Sequence, residues 1–126
     1  MKLLVPTAGP LPAEEKADYV MNVAKMLEAE VIALNISDSK DSPEGQKALD
    51  IYQQEADKAG VKISTQLKSG DVISVISEVA ESENVDLIVM GASEGRLVAK
   101  WIAVDILEKS KVPIVIIPQG FTHMVD

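Results

Sequence analysis

At 126 residues, with a formal charge of −8 and no cysteine, the chain fits one domain over residues 1–126, long enough to bury about two-thirds of its unfolded surface. The missing cysteines exclude a disulfide framework, thiol catalysis and thiolate metal sites, and the acidity argues against nucleic acid as a partner, whose affinity comes from dense Lys and Arg. Arg96 is the sole arginine. Met1-Lys2 running into Leu3-Leu4-Val5 lacks a signal-peptide layout, and no apolar run approaches the ~20 residues of a membrane span, so a soluble cytoplasmic protein with no membrane partner is expected.

Leu3-Leu4-Val5 reads as a short buried strand, after which Pro6, Gly9, Pro10 and Pro12 force a loop. From about Pro12 to about Ala29 the apolar residues Ala13, Ala17, Val20, Ala24 and Leu27 keep the spacing of one helical face, with Pro12 tolerated in the first turn. Val31 to Ile36 is a second buried strand, with Asn35 its odd polar residue, and Ser37 to Pro43 is a polar loop. A second helix follows to Ala59, burying Ala48, Tyr52, Ala56 and Ala59, with Gly60 placed as its left-handed stop. Val61, Ile63, Thr65 and Leu67 alternate with Lys62, Ser64, Gln66 and Lys68, the pattern of an edge strand wetted on one face. Asp71 is placed to cap a third helix, lined by Val72, Val75, Ile76 and Val79, that runs to Asn84.

The stretch from Val85 to Pro118 is the part on which function turns. An apolar strand, Val85 to Met90, leads through Gly91, Ala92, Ser93, Glu94 and Gly95 into a helix over about Arg96 to Ser110, and a last apolar strand covers Val112 to Ile117. Continuous β-branched runs suit strands covered on both faces, and a parallel neighbour requires a crossover. Five strands alternating with helices predict a three-layer α/β fold, a doubly wound parallel sheet. Its loops lie where such sheets hold ligands, beyond the carboxyl ends of the strands.

Four segments carry a family resemblance: Lys2-Leu3-Leu4-Val5-Pro6, Gly70-Asp71, Asp86-Leu87-Ile88-Val89-Met90-Gly91 and Val112-Pro113-Ile114-Val115-Ile116-Ile117-Pro118. On these the chain resembles the universal stress protein family over essentially its whole length. The resemblance implies a five-stranded Rossmann-like sheet of order 3-2-1-4-5 and homodimerisation through the fifth strand, here Val112, Ile114, Val115, Ile116 and Ile117. It also implies a binding or regulatory role in stress response with no established turnover. One branch of the family binds ATP and another does not. The binding branch carries an acidic residue after the first strand, where this chain has Ala8 within Val5-Pro6-Thr7-Ala8-Gly9-Pro10. Its phosphate loop, of form G-x-x-G followed nine residues later by G-S or G-T, is also broken here. Glu94 stands where the second glycine would, Gly95 comes one residue late, and neither Lys100-Trp101 nor Asp105-Ile106 restores the later pair.

The residues at this cleft leave more than one role open. Gly91, Ala92, Ser93 and Gly95 supply small size and backbone donors, whereas Glu94 repels a phosphate. Arg96 and Lys100, one turn apart, either clamp an anion or mark a solvated helix start. Thr7, beside Gly9, either hydrogen-bonds a ligand or caps its own loop. Asn35 either meets a base edge or satisfies a buried backbone group. Trp101 belongs to core or dimer packing rather than to ring stacking on a ligand. His123, alone in a polar tail, offers no nucleophile a base and no metal a second ligand, so neither a catalytic residue nor a metal site is expected. The sequence therefore favours a non-enzymatic module without tight ATP binding, needing no cofactor; the alternative is an ATP or AMP sensor using an altered loop, with slow hydrolysis.

Overall fold

The structure is a computed structural model that describes residues 1–37, 41–91 and 104–117. Its elements follow in the order β1 (Lys2–Pro6), α1 (Pro10–Leu27), β2 (Glu30–Ser37), α2 (Pro43–Ala59), β3 (Ile63–Ser69), α3 (Val72–Ser82) and β4 (Leu87–Gly91). A helical segment, α4, covers 104–110, and β5 is Ile114–Ile117. The strands form one parallel sheet of order β3-β2-β1-β4-β5, as the resemblance implied. Among the described residues no helix is long and apolar enough to cross a membrane.

Strand alternation divides the core between the two faces of the sheet. Leu3, Val5, Val31, Ala33 and Val89 pack with Ala13, Ala17, Val20 and Met21 of α1 and with Ala48, Leu49, Tyr52 and Ala56 of α2. Leu4, Ile32, Leu34 and Ile88 pack on the other face with Ile76, Val79 and Ala80 of α3 and Ile106 of α4. The central strands are thus buried on both sides, which is why they read as unbroken apolar runs. At the β3 edge Ser64, Thr65 and Lys68 stay exposed.

Several boundaries differ from the sequence reading for local reasons. Helix α1 begins at Pro10, because a proline at the first helical position gives up a donor that would have had no partner. It ends at Glu28, whose left-handed conformation turns the chain so that Ala29 closes the core while Leu27 stays exposed. Strand β3 starts at Ile63 rather than Val61, since the Val61 amide is taken by the Ala56 carbonyl at the end of α2. Of the expected α3 face, Ile76 and Val79 are buried, but Val72 is exposed.

Candidate functional site

The strand order reverses between β1 and β4, so the carboxyl ends of these strands, at Pro6 and Gly91, lie at the switch point, where parallel sheets open a crevice. On the β1 side the loop is tied down by its own backbone. The Thr7 amide donates to the Leu34 carbonyl at 2.9 Å, its hydroxyl donates to the Gly9 carbonyl at 3.3 Å, and its carbonyl accepts from Asn35 Nδ2 at 2.7 Å. Thr7 and Asn35 are both buried, so the hydroxyl of Thr7 and the amide N–H of Asn35 are spent on holding the loop. Asn35 Oδ1 accepts no hydrogen bond from the described residues; it faces the α carbon of Gly45 in the first turn of α2, where an added Cβ would collide with it.

Ala8 is exposed at the head of this loop and presents a methyl group there. Gly9, in an extended conformation, caps α1 without a side-chain hydrogen bond. Helix N-termini hold anions through their first backbone N–H groups. In α1 the first and third helical residues are Pro10 and Pro12, which have no N–H. The α1 end of the cleft is therefore poorly equipped to bind a phosphate.

On the β4 side stands a residue that sequence reasoning missed. Lys16, in the second turn of α1, is only 4% exposed, and its alkyl chain lies across Gly91. A Cβ built on Gly91 would strike Lys16 Cε and come within 2.7 Å of Cδ and 3.0 Å of Nζ. The ammonium lies 3.5 Å from the half-exposed Glu15 carboxylate. A signal was available in the chain: Lys16 is three residues after Ala13 and four before Val20, inside the stripe that α1 buries. Because helical side chains lean toward the N-terminus, a long one at this position reaches the carboxyl end of the sheet.

Ser93, Gly95, Arg96 and Lys100, together with Ala92, Glu94, Trp101 and His123, lie outside the described residues. The structure thus brings together Thr7, Ala8, Gly9, Asn35 and Gly91 from the sequence reading and adds Lys16. Among the described residues no group of His, Cys, Asp or Glu is arranged to hold a metal ion. A concavity of about 1040 Å³ lies elsewhere. It opens between β3 and α3 beside Gln66, Ser69, Ser74, Ser77, Glu78 and Lys109, and its mixed charges favour no ligand class.

The comparisons with known proteins agree with this layout. The model of the universal stress protein family matches residues 1–118. The chain belongs to the universal stress protein family. A curated universal stress protein of Methanocaldococcus jannaschii is 28% identical, with the match covering 92% of this chain and 81% of the relative. Two solved members share the fold. One, from Archaeoglobus fulgidus in complex with dAMP, has a TM-score of 0.73 at 19% identity, covering 93% of this chain and 97% of its own. The other, from Arabidopsis thaliana with AMP bound, has a TM-score of 0.67 at 14% identity, covering 95% and 92%. Within this family the chain has Ala8 and Lys16 at its switch point.

Proposed function

We propose that the chain is a non-enzymatic binding or regulatory module of the stress response, a cytoplasmic homodimer joined through β5, with no tight affinity for ATP. The observation that carries the reading is Ala8: the loop after β1 offers a nucleotide no carboxylate, and the prolines of α1 leave that loop few donors for phosphate. Isothermal titration of ATP, ADP and AMP into the purified protein tests it. At most weak binding, with a Kd in the millimolar range, is expected, and a micromolar Kd for ATP would replace this reading. The dimer is supported by the β5 edge, where Val115 and Ile116 are 42% and 41% exposed, and by the similarly exposed Val104 and Leu107 of α4. An apolar open edge of this kind favours pairing with a second copy. Light scattering of the eluting protein is expected to give the mass of two chains, and Val115→Glu to give one.

A second reading, an AMP or ATP sensor with an altered loop, is supported by the dAMP and AMP held by the two solved relatives. In the same titration it requires saturable binding of AMP.

A further inference from the structure

We propose that Lys16 is a specificity-determining residue that closes the phosphate end of the switch-point cleft from within. The inference rests on the reading above and deepens it, because it names what occupies the space that a phosphate would need. A backbone that cradles phosphate must present its N–H groups at close range, which is what a glycine at the end of a strand allows. At Gly91 that approach is already taken: Cε and Cδ of Lys16 rest on the glycine, and the side chain is 4% exposed. A ligand reaching Gly91 with a phosphate has to drive this side chain off first. A side chain seated in the cleft lowers apparent affinity in proportion to the rarity of the open state, about tenfold if one molecule in about ten is open. The ammonium also attracts anions, so charge and bulk act in opposite directions here. The side chain's burial makes bulk the controlling effect.

Two substitutions separate bulk from charge. Lys16→Ala removes both, whereas Lys16→Met keeps atoms at the positions of Cδ and Cε and removes only the charge. With AMP as the probe in isothermal titration, Lys16→Ala is expected to gain about tenfold or more in affinity over the unsubstituted chain, and Lys16→Met to gain much less. No gain in Lys16→Ala overturns the proposal. A loss overturns it too, since it would make Lys16 an anchor for the anion, and so does an equal gain in both variants. A second measurement needs no variant. Reductive methylation of the intact protein, followed by peptide mass analysis, is expected to modify Lys16 at least about tenfold more slowly than Lys58, whose side chain is 72% exposed; equal rates would overturn the proposal. The two readings fail separately. Tight ATP binding by the unsubstituted chain defeats the proposed function, whereas weak binding that Lys16→Ala does not improve defeats only the role of Lys16.

Discussion

Gly45 and Gly91 sit at the same end of the sheet, and at each an added Cβ would run into a buried side chain, yet the two contacts differ in kind. A Cβ built on Gly45 would meet the amide of Asn35, with Cγ at 2.9 Å, and Leu67 Cδ1 at 2.8 Å. The amide is fixed by its hydrogen bond to the Thr7 carbonyl, so Asn35 cannot readily retreat. Gly91 faces the far end of a lysine, which has several rotatable bonds with which to withdraw. One glycine therefore seats α2 on a rigid junction, and the other marks a contact that can open. The side of the cleft formed by β1 and β2 is held by a hydrogen bond, whereas the side formed by β4 is covered by the end of a flexible side chain.

The sharpest way to break this contrast is Asn35→Asp, which sets a carboxylate against the Thr7 carbonyl, acceptor facing acceptor. A buried charge without a matching partner costs about 3 kcal/mol or more, and urea unfolding at neutral pH is expected to show a loss of that order. The variant's carboxyl has its folded pKa raised above the unfolded value. The penalty is therefore present above the unfolded pKa and shrinks as pH falls, because the protonated acid can donate to the Thr7 carbonyl. A loss independent of pH would mean that the junction is less tight than its geometry implies.

Gly45→Ala comes next. Overpacking a junction of this kind costs about 1–3 kcal/mol, and the better helix propensity of alanine returns about 1 kcal/mol, leaving a net loss of about 1 kcal/mol in chemical denaturation. Gly91→Ala is expected to cost less, because Lys16 can swing away. Its cost should fall further in a Lys16→Ala background, which a double-mutant cycle reads as coupling between the two sites. Additive effects would mean that Lys16 does not bear on Gly91 in solution.

The legibility of these features in the sequence follows from what each depends on. All five strands were visible because burial on one or both faces dictates period two or an unbroken apolar run, and Gly60 announced the end of α2 because its left-handed conformation has few other occupants. Ala8 and the prolines of α1 could likewise be read from the chain, since a missing carboxylate or N–H is a local fact. The implied order 3-2-1-4-5 already set β1 beside β4, but the contact of Lys16 with Gly91 stayed hidden, because a lysine in a helix reads as solvated until the packing of α1 on the sheet places a glycine beneath it. The clash that a side chain at Gly45 would meet is hidden too, since Asn35 and Leu67 belong to different strands.

The smallest expected effect lies away from both junctions. Asp71 caps α3 by accepting the Ser74 amide at 3.0 Å, and that bond, helped by Ser74's hydroxyl and, more weakly, by the charge of Lys109, holds its carboxyl below the usual value. A lowered folded pKa means that the contribution is complete above the unfolded pKa and is lost as pH falls through the folded one. Thermal melts of the natural chain and Asp71→Ala should therefore differ by a few degrees near neutral pH and converge in acid, whereas Asp71→Asn, which keeps the acceptor, should stay close to the natural chain throughout. The site is fully open to water, so salt will weaken the part due to Lys109 and leave the hydrogen bond. Because α3 packs on the face of the sheet opposite α1, the Asp71 variants should leave the AMP titration unchanged. If they shifted it, the two faces would be coupled through the central strands, and the contrast between a fixed and a movable side of the cleft would have to include the helix beneath it.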